Sequence, residues 1–338
     1  MQELFELTRQ LIDIDSVTGN EAAVAGIVAE WLRRRGFQVK SQPVTEGRAN
    51  LIAAMGRPEV VLSTHLDTVG PFYPSSEDDR WIQGRGACDA KGCLASQMIA
   101  AARLAAEGVS DFGLLFLVGE ELESDGARAA NQAPRDARYL IMGEPTGNRL
   151  VAGTKGAMQL RITTRGRTAH SAYPQLGESA IDKLLELLAE LRSMPLPSDP
   201  ELGPTTMNIG LLSGGHAANV VAGHAAAVVF YRTVDAGDGL RRRIEARLAG
   251  RAEYEFRRQV APMRMERLPG FETDVVAFTT DLPNLDRWGR PLLVGPGSIL
   301  VAHTDHERVA KAELAQAAEL YRRLVRELKA RASEGGTG

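Results

Sequence analysis

Cysteine is almost missing from this chain: Cys88 and Cys93 are the only two among 338 residues. That count excludes a disulfide framework, and their spacing is neither a CxxC redox pair nor part of a four-ligand zinc cluster. Both read as small, reduced, semi-buried residues. Long apolar runs are missing too, since nothing approaches the roughly 20 residues needed to span a bilayer. The first segment, MQELFELTRQLIDIDS, spaces Leu4, Phe5, Leu7, Leu11 and Ile12 along one helix face and mixes in acidic residues. It therefore lacks the apolar block of a signal peptide, and a cytoplasmic protein is expected.

Charge of one sign is not in excess. A formal net charge of -3 and a pI near 6.1 give no electrostatic reason to expect a nucleic-acid or membrane partner. The local clusters Arg33, Arg34, Arg35 and Arg241, Arg242, Arg243 lie on amphipathic helical patterns and read as solvated faces. GRGACDAKG has no GKS or GKT and is not a phosphate loop, and the absence of a GxSxG elbow disfavours a serine hydrolase.

What remains is ordinary globular material, 44% hydrophobic and 25% charged, in a chain long enough for two domains. Helical patterns end near Ile12 and Arg35, and strand signals follow at Phe37–Val39, Asn50–Ala54, Val60–Ser63 and Trp81–Gln83. Leu94–Ala106 is expected to be a helix, Phe112–Val118 a buried strand, Asp125–Gln132 a helix and Tyr139–Met142 a strand. Such alternation implies an α/β layer whose mixed, mostly parallel sheet is flanked by helices.

The pattern then changes. Lys155–Arg165, Ser179–Leu191, Thr205–Leu212, Ala225–Thr233, Gly239–Leu248 and Ala252–Val260 read as β-α-β-β-α-β, the order of a ferredoxin-like α+β sandwich. Thr279–Arg308 returns to buried strands and Val309–Arg331 to a helix. The expected division is a catalytic domain in residues 1–153 and 262–338, with 154–261 inserted as a second domain. The SEGGTG tail reads as a disordered end.

In parallel α/β sheets the functional groups gather at the carboxyl ends of strands. His65 and Asp67 follow VVLST, Glu120 and Glu121 follow LLFLVG, Glu144 follows YLIMG, His303 follows SILVA, and Asp89 joins from the Gly-rich loop. So many carboxylates at one rim cannot all ionise without raised pKa values, and one or two divalent cations remove that conflict. His65, His303, Asp89, Glu121 and Glu144 form a mixed N/O donor set suited to zinc, with manganese or cobalt as substitutes. With two ions one carboxylate must bridge, and Asp89 is the natural bridge. Asp67 is placed to accept the second imidazole N–H of His65. Adjacent glutamates diverge, so Glu121 is assigned to metal and Glu120 to proton transfer as general base.

STHLDTV, GRGACDAKG, GEELES, MGEPT and AHTDHER resemble, in order, the five site motifs of one family. It is the co-catalytic zinc amidohydrolase and peptidase family of acetylornithine deacetylase, succinyl-diaminopimelate desuccinylase, aminoacylase and bacterial glutamate carboxypeptidase. The resemblance implies one zinc ion on His65, Asp89 and Glu144, a second on Asp89, Glu121 and His303, and a cis peptide after Asp89. It also implies that the insert is a lid that dimerises and closes over substrate. Within it, GRTAHSAYP places His170 as an oxyanion stabiliser, while GGHAANVV and FYRTVD make Asn219 and Arg232 candidates for the substrate carbonyl and carboxylate. Ala90 and Cys93 stand where many relatives have DMKGG, and NVVAGHA replaces the more usual NVVPDxA; neither change removes a ligand.

His216, His224 and His306 read as turn or surface residues, and a lone His at a strand end is commonly structural. His65 gains its functional reading from the acids in register with it. The expected activity is a two-zinc hydrolase cleaving the amide of an N-acyl amino acid of the ornithine, lysine or diaminopimelate type, acting as a homodimer through the lid. A metallo-carboxypeptidase or dipeptidase acting on a short peptide is the enzymatic rival, and a silent metal- or peptide-binding relative the rival of another class.

Overall fold

The computed structural model describes residues 1–334, so Gly335–Gly338 of the SEGGTG tail lie outside the described residues. The chain falls into two compact units, one of residues 1–152, 265–274 and 280–338, the other of 153–264 and 275–279. The return segment 275–279, which the sequence reading keeps with the catalytic domain, thus belongs to the second unit.

The first unit is built on a six-stranded sheet. Its strand order is Gln38–Thr45, Arg48–Met55, Phe112–Leu117, Val60–His65, Tyr139–Met142, Arg290–Leu293. The first two form an antiparallel hairpin, and Arg48–Met55 meets Phe112–Leu117 antiparallel. The last four strands run parallel. Every residue of Val60–His65, Phe112–Leu117 and Tyr139–Met142 is buried, which explains their uninterrupted apolar runs. Lys91–Ala106 and Lys311–Glu334 pack on Val60–His65 and on each other, and Gln2–Ile12 packs against both. The Lys91–Ala106 helix is buried nearly all round, so its Ala-rich sequence shows little amphipathic contrast.

Two expectations fail after the second unit. SILVA is not a strand: Ile299 to Ala302 form turns, and the strand of this region is Arg290–Leu293. Gly295, Pro296 and Gly297 break the run after Val294, and Leu300 points to solvent at 85% exposure. Val309 starts no helix either, because Arg308–Ala310 pairs antiparallel with Trp81–Gln83 before the last helix opens at Lys311.

The second unit is a four-stranded antiparallel sheet in the order Thr206–Gly214, His224–Thr233, Gly156–Arg165, Glu253–Val260. With helices Ala180–Ser193 and Asp238–Leu248 this is the ferredoxin-like arrangement. Its core joins Met158, Leu160, Ile162, Leu184, Leu188, Val229, Tyr231, Leu240 and Ile244. Ser179 caps the first helix by accepting the Asp182 N–H at 3.2 Å.

Candidate metal centre

Three strand ends and two loops of the first unit build the centre. Parallel pairing sets His65 opposite Leu117 and Ser63 opposite Met142, so the residues that follow leave the sheet at one edge. Two cross-links hold those ends in line, from Leu66 N–H to Leu117 O at 2.7 Å and from Gly143 N–H to Ser63 O at 2.7 Å. Glycine is required at 143, because a Cβ would meet Gln97 Nε2 at 2.6 Å and the Tyr321 hydroxyl at 2.9 Å.

The candidate ligands converge. His65 Nε2 is 3.0 Å from Asp89 Oδ1, His303 Nε2 is 3.3 Å from Asp89 Oδ2, and His303 Nε2 is 3.1 Å from Glu121 Oε2. One donor atom each from His65, Asp89 and Glu121 lies within 4.8 Å of the others, a spacing that could hold a metal ion. The carboxyl of Asp89 thus faces a histidine on either side, as a bridging group must, and the Asp89–Ala90 peptide is cis. Glu144 is buried and its Oε1 has no hydrogen-bond partner among the described residues. An orphaned buried carboxylate oxygen in the field of His65, Asp89 and Glu121 is the chemistry of a donor set for a divalent cation.

The electrostatics point the same way. Burial, reinforced by Glu144, pushes the Glu120 carboxyl well above its ordinary range. Burial raises Glu144 as well, with the charges of Asp89 and Glu121 adding to it, and burial with Asp89 raises Glu121 against the pull of His303. Burial works against a charged His65, yet hydrogen bonds to Asp67 and Asp89 and the field of Glu144 hold its pKa well above the usual value. Hydrogen bonds to Asp89 and Glu121 push His303 up to about 10. Acids that resist ionisation, next to imidazoles that hold protons, are the chemistry of a site that could hold a divalent cation.

Asp67 does face the second nitrogen of His65, most closely through its main chain. His65 Nδ1 lies 3.0 Å from the main-chain oxygen of Asp67, whereas the Asp67 carboxylate is 3.5 Å from it. That carboxylate also accepts the Glu120 N–H at 3.1 Å on Oδ1, and the Glu121 N–H at 3.2 Å and the Thr18 hydroxyl at 2.8 Å on Oδ2. The main-chain oxygen of Asp67 lies nearest the imidazole, while its carboxylate acts on His65 from 3.5 Å and also holds the pair of glutamates.

Sequence reasoning missed several buried polar groups here. Lys91 is 1% exposed, donates to Ser16 Oγ at 2.5 Å, and burial lowers its pKa to about 7. Asp281 is fully buried, neither oxygen makes a well-formed hydrogen bond among the described residues, and burial raises its pKa to about 7 with the Ser124 hydroxyl only moderating the shift. Arg48 binds Glu21 through both forks at 2.8 and 2.7 Å and reaches Asp125 at 2.6 Å, bracing the first turn of the helix that follows GEELES. Their signal was available only as unexplained polar residues beside apolar ones.

The second unit holds the remaining candidates. His170 is exposed and bridges Val220, its Nδ1 accepts the Ala172 N–H at 3.1 Å, and the Ser171 N–H donates to Asn219 O at 3.0 Å. His170 and Asn219 therefore share one loop cluster. Arg232 is half-buried, 4.8 Å above the Phe230 ring, and donates to Thr279 Oγ1 at 3.4 Å. His216, His224 and His306 are exposed, in keeping with their bland reading.

Residues 152–255 match the model of the peptidase dimerisation domain. A peptidase M20 domain-containing protein of Schizosaccharomyces pombe is 38% identical over 335 residues, spanning 95% of this chain and 84% of that protein. The chain belongs to the M20 peptidase family. A probable carboxypeptidase of Aspergillus clavatus is 38% identical over 369 residues, 95% of this M20 chain and 82% of that protein. Among solved structures, a tripeptidase from Staphylococcus aureus superposes with a TM-score of 0.82 at 23% identity, covering 96% of this chain and 98% of that one. A Bacillus subtilis dinuclear metal-binding peptidase of the M20 family superposes at 0.70 with 14% identity, covering 96% and 97%. As an M20 member the chain is a hydrolase of the metallopeptidase type. No helix among the described residues is long and apolar enough to cross a membrane.

Proposed function

We propose that this hydrolase cleaves an amide whose nitrogen belongs to an amino acid with a free carboxylate, deacylating an N-acyl amino acid of the ornithine, lysine or diaminopimelate type. The convergence of His65, Asp89 and Glu121 donor atoms within 4.8 Å supports the metal-dependent hydrolysis in this reading, which both acyl classes share. His65, Asp89 and Glu144 would hold one zinc ion and Asp89, Glu121 and His303 another, with cobalt or manganese as substitutes. When bound, such ions polarise a carbonyl and acidify a water. Glu120 takes the proton of the attacking water and returns it to the leaving amine; its raised pKa suits a group that must both accept and release a proton. Asp67 keeps Glu120 in place through the backbone. His170 is assigned to the oxyanion, Asn219 to the substrate carbonyl and Arg232 to its carboxylate, and the second unit to a homodimer contact.

A carboxypeptidase or dipeptidase reading is favoured by one observation, the name carried by the Aspergillus relative at 38% identity. It involves the same bond and the same leaving group and differs only in the acyl side. Purified protein assayed against N-acetyl and N-succinyl amino acids and against dipeptides separates the two, since each reading expects turnover of its own class alone. Glu120→Ala should keep the metal content and abolish turnover; retained turnover would sink the assignment.

A further inference from the structure

A buried ion pair outside the ligand set ties two of the ligand-bearing loops together. Arg85 and Glu307 are 2% and 1% exposed at their side chains, and Arg85 Nη1 meets Glu307 Oε2 at 2.7 Å. The other oxygen, Oε1, accepts two successive backbone N–H groups, from Cys88 at 3.2 Å and Asp89 at 3.1 Å. Arg85 also donates to Thr304 O at 3.1 Å and to Pro71 O at 3.2 Å, and Gly84 N–H donates to Glu307 O at 3.1 Å. The loop before Asp89 is thereby fastened to the loop that carries His303, whose φ of 63° is held without glycine.

A fully buried ion pair is a poor source of net stability, because desolvating both charges costs about as much as their attraction returns. Its geometry here suggests another use. Asp67 grips the N–H groups of Glu120 and Glu121 in the same two-donor fashion as Glu307 grips those of Cys88 and Asp89. One clamp sets the glutamate pair and the other sets the shared aspartate.

We propose that Glu307, with its charge held by Arg85, is a positioning residue of the metal centre that fixes the Asp89 carboxylate between His65 and His303. This rests on the metal-centre reading above. Without the clamp the Asp89 N–H loses its buried carboxylate acceptor, the His303 loop loses its tie to it, and the distances from Asp89 to both histidines are no longer imposed before an ion arrives.

The test is Co2+ binding by chelator-treated full-length protein, followed by calorimetry and visible absorption, with the melting temperature of each metal-free variant measured alongside. Glu307→Ala should weaken Co2+ binding by about 10- to 100-fold and alter the absorption band. Glu307→Asp keeps a charge opposite Arg85 but withdraws the carboxylate by one methylene, so it should fold and still bind Co2+ more weakly than wild type. Leu328→Ala, a core truncation in the last helix, should lower the melting temperature and leave Co2+ affinity unchanged. Wild-type affinity in Glu307→Asp, or a loss matched by Leu328→Ala, overturns the positioning role alone. Failure of the wild-type protein to bind Co2+ overturns the metal centre and this inference with it.

Discussion

Replacing Asp281 with asparagine should stabilise the metal-free protein at neutral and alkaline pH and do almost nothing in acid. The side chain is fully buried with no well-formed hydrogen bond to either oxygen, and burial moves its pKa from 3.8 to about 7. Because the folded-state value lies above the ordinary one, the neutral acid is harmless below pH 3.8, and the cost of ionising it in place grows as pH rises through about 7. At about 1.36 kcal/mol per pH unit, the cost at pH 8 is up to about 4 kcal/mol, and asparagine, which keeps the shape and cannot ionise, escapes it. Urea unfolding of chelator-treated wild type and Asp281→Asn at a series of pH values measures the difference. It should rise between about pH 4 and pH 7 and level off above. A difference that does not vary with pH, or a variant less stable than wild type at pH 8, would refute the reasoning.

Arg48→Met strands Glu21, which is wholly buried, and should cost about 3 to 5 kcal/mol in urea unfolding; a loss under about 1 kcal/mol would remove the brace from the account. Thr18→Val deletes the hydroxyl donor to Asp67 and should cost about 1.5 kcal/mol while lowering kcat more than it changes KM, read from steady-state kinetics on whichever substrate is turned over. Exhaustive chelation should abolish hydrolysis, and Zn2+, Co2+ or Mn2+ should restore it. Metal affinity should fall as pH drops, since protons compete for the imidazoles and carboxylates, and restored turnover without added metal would refute the cation requirement.

The catalytic edge was legible because physics writes it into the sequence twice. An apolar run long enough for a buried strand ends in a residue that cannot be buried unpaired, as at His65, Glu121 and Glu144, and parallel pairing brings such ends together. His303 does lie against Asp89 and Glu121, but the strand end expected to bring it there is a turn. Asp281 was invisible because its neighbours carry no periodicity and its burial depends on a return segment after the second unit. That Asp67 faces the second imidazole nitrogen was legible from its spacing, but spacing alone cannot choose between a main-chain and a side-chain oxygen of one residue as the nearer acceptor. Glu307 and Arg85 are separated by more than two hundred positions, and only the folded chain makes them a pair.

The histidines at the centre are not equivalent to water: the His65 side chain is 1% exposed and that of His303 is 50% exposed. A cation entering the proposed centre would therefore meet the His303 imidazole before it reached His65. On the proposed two-ion reading, the position beside His303 should load and unload quickly and take on the identity of whatever metal the surroundings supply. On that reading the position beside His65 should keep its first occupant through such changes, and one molecule would then hold two different elements at once.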